Sequence, residues 1–187
     1  MSYTLLILAL ALAVVDWVVV WREWRPAEYV LKPAVIVVLI AWFVQVTGLR
    51  GQSPWFLAGL IFSLAGDVFL MLPGSYFPLG LASFLLAHLS YASGFNPTLP
   101  PITPIGILIV IVVGASAALL YRTLVEGETL AKNAPGLRSA VLAYAIAISL
   151  MTISAGLTLI RPTWNFTYAI LATLGAASFF ASDTILA

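Results

Sequence analysis

Two stretches of the sequence place ionisable side chains inside apolar runs, and these are the residues best suited to chemistry. Asp67 lies in GLIFSLAGDVFLML, and His88 lies in the apolar run that follows the turn at Pro73 and Gly74. Asp183 lies in GAASFFASDTILA, the last stretch of the chain. A charged group in the hydrocarbon of a bilayer costs roughly 2.5–3.5 kcal/mol on insertion scales, so it is usually buried among helices and tied to function. The two carboxylates are therefore the feature that an account of function must explain.

The composition is that of an integral membrane protein. Of 187 residues, 63% are hydrophobic and 8% are charged, and the mean hydropathy is +1.11, whereas a soluble domain carries about 25% charged residues. The net charge of +1 and the lack of a basic stripe argue against nucleic acid as a partner. One histidine and no cysteine leave too few ligands for a catalytic zinc site, although a hard ion bound by carboxylates stays open. We expect that no metal and no organic cofactor is required. A Ser63–His88–Asp67 triad is formally possible, but no nucleophile-elbow sequence supports it.

Apolar runs of about twenty residues, the length that crosses a bilayer, predict an all-α transmembrane bundle with seven spans. The predicted spans are 2–21, 31–48, 55–72, 77–95, 104–122, 137–160 and 165–187. Short connections rich in turn residues join them, so we expect one integral membrane domain over residues 1–187. The N-terminal run lacks the positive region of a signal peptide, and we interpret it as a retained first span.

The distribution of lysine and arginine predicts the orientation. The even connections carry only Arg50 and Arg161, and the remaining basic residues lie in or beside the odd ones. Because positive charge favours the cytoplasmic side, we expect the odd connections in the cytoplasm and the N-terminus outside. We expect this multi-pass protein in the plasma (inner) membrane of a bacterium. The basic residues of the odd connections are Arg22, Arg25, Lys32, Arg122, Lys132 and Arg138.

Most of the polar residues are predicted to lie in the half of the membrane next to the odd connections. A rise of 1.5 Å per helical residue places Asp67 about 9 Å from that face and His88 near the midplane. Such a distribution is what one cavity open to the cytoplasmic leaflet would need. The other polar residues predicted in that half are Asp16, Lys32, Tyr144 and Asp183.

Several neighbours of these residues could line such a cavity. Ser63 precedes Asp67 by one helical turn, and Gly66 would let another element approach closely. Tyr91 follows His88 at i+3. The two residues could be hydrogen-bond donors that line a pocket, or a packed polar pair that holds helices together. Lys32, at the predicted start of the second span, is either a snorkelling lysine or a phosphate contact or counter-charge to a carboxylate. Asp16 is interpreted as an interfacial residue.

The sequence resembles the YhhN/TMEM86 family of membrane proteins, the lysoplasmalogenases, over most of its length. The resemblance lies in the Lys32–Pro33 pair, in FSLAGDVFLML (62–72), in the spacing from Phe77 to Tyr91, and in GAASFFASDTILA (175–187). The family pattern continues into an eighth membrane segment after this last element, whereas this chain stops at Ala187. On the resemblance we expect either a fragment or a form without that segment.

The resemblance implies hydrolysis of the vinyl ether bond of lysoplasmalogens to a fatty aldehyde and a glycerophospho-alcohol, with a lysophospholipid as substrate. Two carboxylates suit this chemistry, because one can hold a proton while the other stays ionised. Asp67 and Asp183 are assigned to this pair, with the acid and the base left open. The residues assigned to substrate binding are Lys32, Ser63, His88, Tyr91, Tyr144 and Ser182.

The alternative is a transporter or lipid-binding protein without hydrolysis, since buried aspartate and histidine residues also serve as proton relays. Discontinuous helices and inverted repeats would support that interpretation, and the sequence shows neither. An amide hydrolase that resembles the alkaline ceramidases is a weaker alternative, because their multi-histidine zinc site cannot be built from one histidine.

Overall fold

The computed structural model describes residues 3–73, 76–126 and 138–186, and within them the chain is all-α, as predicted. Lys132 and Gly74, both assigned to connections, lie outside the described residues. A 3₁₀ turn, Thr158–Ile160, continues the sixth helix. The helices are α1 (Tyr3–Trp21), α2 (Arg25–Thr47), α3 (Ser53–Met71), α4 (Phe77–Phe95), α5 (Pro104–Glu126), α6 (Arg138–Leu157) and α7 (Phe166–Leu186).

The start of α2 differs from the prediction. The helix begins at Arg25, six residues before the predicted start at residue 31, with Pro26 in its first turn, where a missing N–H costs nothing. It ends at Thr47, and the next residue, Gly48, has a φ of +54°, the left-handed conformation that closes a helix. The Gly48 N–H donates to the carbonyl of Val44. Lys32 therefore lies two turns inside α2, and the expectation that it opens the second span was wrong.

Four helices of the described residues are long and apolar enough to cross a membrane: α1, α2, α3 and Arg138–Ile160. In α5 a shorter apolar stretch, Pro104–Leu119, has the same character. Their outward faces carry large apolar side chains such as Trp17, Val37 and Ile111, each more than half exposed. Such faces suit a lipid environment, so the chain is a membrane protein.

The helices form two compact units, and the boundary falls within α4. The first unit, Met1–Ser90, holds α1, α2, α3 and most of α4, with α2 packed along both α1 and α3. The rings of Phe43 and Phe56, whose centroids lie 6.5 Å apart, join α2 to α3.

In the second unit, Tyr91–Ala187, α6 packs along both α5 and α7. Almost every residue from Ala147 to Leu157 is buried, and many of them are small. A Cβ added at Gly156 would lie 3.1 Å from Ile109, so α5 approaches α6 closely there. The expectation of one integral domain stays a prediction.

Candidate active site

In the first unit, Asp67 forms an ion pair with Lys32. The ammonium nitrogen of Lys32 lies 3.6 Å from a carboxylate oxygen of Asp67, and the side chains are 40% and 17% exposed. Lys32 belongs to α2, and Asp67 lies one turn before the end of α3. This ion pair agrees with one of the alternatives left open for Lys32, that of a counter-charge to a carboxylate. A charge so far inside an apolar helix is tolerated when it has such a partner.

The first two turns of α2 bring Lys32 to the last turn of α3. The hydroxyl of Tyr29 donates to the carbonyl of Met71 at 2.6 Å, which ties the start of α2 to the end of α3. Tyr29 and Lys32 are three residues apart and so share a face of α2. Pro33 has no N–H to give to the carbonyl of Tyr29, which weakens the link between these turns and the rest of the helix. Because α2 already begins at Arg25, its first two turns hold Tyr29 and Lys32 against the end of α3.

Asp16 of α1 is a further carboxylate of this unit, and the sequence interpretation as an interfacial residue missed its burial. Its side chain is 8% exposed, and its Oδ1 is buried without a hydrogen-bond partner. Lys32 and Glu28, both of α2, contribute to the electrostatic environment of Asp16.

The other predicted residues of the first unit are buried. Ser63 lies one turn before Asp67 and is buried, and His88 of α4 has no exposed surface. A Cβ at Gly66 would lie 2.7 Å from the ring of Phe84, so the close neighbour that Gly66 admits is an aromatic side chain. At Gly66, the residue before Asp67, α3 is therefore in close contact with α4.

In the second unit, Asp183 has a different partner. The hydroxyl of Tyr144 in α6 donates a hydrogen bond to the carboxylate of Asp183 in α7. Both residues were predicted in the site, but the sequence did not predict their contact. Ser182 is exposed, and Tyr91 is half-buried. The pairing of Asp67 with Asp183, which belong to different units, stays a prediction.

A second polar cluster of this unit surrounds Arg161, which the sequence suggested only as a loop charge. Its guanidinium donates to the carbonyl and hydroxyl of Thr98 at 2.8 and 3.2 Å and to the Asn96 side chain at 2.5 Å. Asn96 in turn donates to the hydroxyl of Ser154 in α6 at 2.7 Å. Arg161 is 4% exposed, and its burial lowers the pKa of the guanidinium. Because these bonds join the ends of α4 and α6, the cluster is structural.

Metal-binding residues are not grouped in the part of the chain that the structure describes. No three histidine, aspartate or glutamate side chains of residues 3–73, 76–126 and 138–186 come together so that they could hold a metal ion. The polar groups of the first unit include the Asp67 carboxylate, the Lys32 ammonium and the buried Asp16 carboxylate.

Comparison with known proteins identifies the family. No solved structure matches the chain. The model of the YhhN family matches residues 27–187, which include Lys32, Asp67 and Asp183 and exclude α1 with Asp16. The protein therefore belongs to the YhhN family.

Proposed function

We propose that this membrane protein is a hydrolase that cleaves the vinyl ether bond of lysoplasmalogen-type lysophospholipids. The products are a fatty aldehyde and a glycerophospho-alcohol. Membership of the YhhN family supports the proposal, and the sequence resemblance to lysoplasmalogenases supplies the reaction. The alternative of a transporter or lipid-binding protein becomes the preferred one if the folded protein releases no aldehyde.

The observation that carries the proposal is the ion pair between Asp67 and Lys32 inside apolar helices. Vinyl ether hydrolysis passes through an oxocarbenium cation, which a nearby anion stabilises. A carboxylate beside an ammonium keeps its negative charge more readily than an isolated buried one. Asp67 is accordingly the anion of the proposed mechanism.

The proposed reaction needs one acid and one base. Because Asp67 is proposed as the anion, Asp183 is left as the acid of the pair. It gives a proton to the β-carbon of the vinyl ether, which leaves an oxocarbenium ion. Asp67 takes a proton from a water molecule, whose oxygen attacks the α-carbon to form a hemiacetal. The carbon–oxygen bond from the hemiacetal to glycerol then breaks: the glycerol oxygen takes the proton held by Asp67, and the hemiacetal hydroxyl gives its proton to Asp183, which leaves an aldehyde and restores both carboxyl groups. Two carboxyl groups in different buried environments bind protons with different affinities, so one can act as the acid while the other acts as the base.

Other residues are proposed to bind and orient the lipid from the cytoplasmic leaflet of a bacterial plasma membrane. The Lys32 ammonium, which is 40% exposed, would bind the phosphate. The reaction as proposed uses no metal and no organic cofactor. The further orienting residues are Ser63, His88, Tyr91, Tyr144 and Ser182.

The experiment is the release of aldehyde from a lysoplasmalogen by the purified protein in deuterated water. Protonation at the β-carbon predicts one deuterium at C2 of the aldehyde. In ¹⁸O-labelled water, the glycerophospho-alcohol should contain no ¹⁸O, because the attack is on the vinyl carbon. A lysolipid with a saturated ether in place of the vinyl ether is the control and should release no product. Label in the alcohol, or an aldehyde without deuterium, would contradict the mechanism.

A further inference from the structure

The hydrogen bond between Tyr144 and Asp183 joins two helices that also touch at a second point. The Tyr144 hydroxyl of α6 donates to Oδ2 of Asp183 in α7. Toward the other end of this helix pair, the hydroxyl of Thr173 lies 3.2 Å from the carbonyl oxygen of Ala155. The two contacts are about three turns apart along each helix, so the same faces of two antiparallel helices meet at both. The register of α6 and α7 therefore holds Tyr144 at Asp183.

The carboxyl group of Asp183 is oriented by this bond without being closed off. Tyr144 and Asp183 are both half-buried, and Ser182, the residue before Asp183, is exposed. A protonated carboxyl group has one O–H donor, and its carbonyl oxygen is the better acceptor. Because Tyr144 donates to Oδ2, the acidic proton of Asp183 belongs on Oδ1. The hydrogen bond thus selects the oxygen from which the proton leaves.

We propose that Tyr144 is the positioning residue of Asp183: its hydroxyl orients the acid and stabilises the carboxylate that forms when the proton leaves. This inference rests on the proposed function, in which that proton goes to the β-carbon and the electron pair of the carbon–carbon double bond forms the new C–H bond. A hydrogen bond to a carboxylate is stronger than one to a neutral carboxyl group, so the bond strengthens as the proton departs. It therefore favours the transition state over the bound substrate. In this role Tyr144 acts through Asp183 and not by contact with the lipid.

The first test is the rate of aldehyde release from a lysoplasmalogen by the purified full chain and by Tyr144→Phe, which removes only the hydroxyl. We expect kcat to fall by about tenfold, the difference between a hydrogen bond to a charged group and one to a neutral group, and KM to change by less than about threefold. Tyr168→Phe is the matched control, because Tyr168 is an exposed tyrosine of α7, and it should change neither constant. An unchanged kcat, or a rise in KM alone, would overturn the inference.

A second measurement detects the hydrogen bond by infrared spectroscopy, without turnover. The band of the Asp183 carboxyl group is the one that disappears in Asp183→Asn and persists in Glu23→Gln. The latter is the control, because Glu23 is an exposed carboxylate in the connection that follows α1. Loss of a hydrogen bond raises the C=O stretching frequency of a carboxyl group. Tyr144→Phe should therefore move the Asp183 band to higher frequency, and Tyr168→Phe should leave it in place.

A second variant keeps the test decisive if Tyr144→Phe does not fold. A tyrosine with a fluorine beside its hydroxyl, incorporated at position 144, keeps the hydroxyl and is a stronger donor, so it should move the Asp183 band to lower frequency. A band that stays in place in the folded variants would overturn the inference. Because the band is measured without turnover, a shift that depends on Tyr144 in a protein that releases no aldehyde would refute the proposed function and leave the positioning of Asp183 by Tyr144 standing.

Discussion

Removal of the Lys32 ammonium should destabilise the first unit through the Asp67 carboxylate that it leaves behind. Lys32→Met keeps the length of the side chain and removes its charge, and Asp67→Asn keeps the shape of the carboxylate and removes its charge. If the two side chains interact as the 3.6 Å distance indicates, the double variant should be more stable than the sum of the two single losses predicts.

The magnitude of this coupling follows from the distance and the exposure. Coulomb's law at 3.6 Å gives about 1 kcal/mol with the dielectric constant of water and about 5 kcal/mol at an effective value of about 20. The Lys32 side chain is 40% exposed, so solvent screening moves the value toward the lower limit. We expect a coupling free energy of about 1–2 kcal/mol.

The assay is unfolding of the four proteins by titration with a denaturing detergent in mild micelles, followed by circular dichroism. The control cycle combines Lys32→Met with Glu23→Gln, and its coupling should stay below about 0.5 kcal/mol, as for distant sites. A Lys32–Asp67 coupling no larger than that of the control cycle would refute the conclusion that this pair holds the charge of Asp67 in the membrane.

Three further predictions concern packing and hydrogen bonds. Tyr144→Phe removes the donor to Asp183 and should lower the free energy of unfolding by about 1–2 kcal/mol in the same titration. Arg161→Lys cannot reproduce the forked hydrogen bonds of the guanidinium and should cost about 2–3 kcal/mol, measured as a lower unfolding midpoint. Gly66→Ala should cost about 1–3 kcal/mol, because its methyl group would lie 2.7 Å from the Phe84 ring, and thermal unfolding measures this loss.

Each of these variants has a matched control in the chain. Tyr168 is an exposed tyrosine, and Arg50 is an exposed arginine, so Tyr168→Phe and Arg50→Lys should change stability by less than about 0.5 kcal/mol. Gly114 lies in α5 with no atom within 4 Å of an added Cβ, so Gly114→Ala should be neutral or stabilising. If a test variant loses no more stability than its control, the contact that it removes or strains does not have the stabilising role assigned to it.

The helices could be predicted from the sequence because each apolar run has to satisfy its own backbone inside the membrane. Six of the seven predicted spans begin within two residues of the observed helix, and α2 is the exception. Its first turns contain Arg25, Pro26 and Glu28, which look like a connection on a hydropathy scale. The signal that was available is Pro26, a residue common in the first turn of a helix.

The partners of the polar residues could be predicted only in part. Hydropathy gives the depth of a residue in the membrane but not the rotation of its helix, so the bond from Tyr144 to Asp183 could not be predicted. The Lys32–Asp67 pair was predictable because a buried carboxylate needs a partner and few cations lie at its depth. Asp16 was assigned to the interface from its distance to the end of α1, although its burial depends on which face of α1 meets α2.

We propose above that Asp67 and Asp183 carry out acid–base hydrolysis of a vinyl ether. The most direct measurement is the rate of aldehyde release from a lysoplasmalogen by the wild type, Asp67→Asn and Asp183→Asn, with Glu23→Gln as the control. The claim predicts release by the wild type and the control and a loss of about a hundredfold or more in each aspartate variant, within the ~10²–10⁴-fold range of acid–base catalysis. Aldehyde release that survives in either folded aspartate variant would contradict the claim.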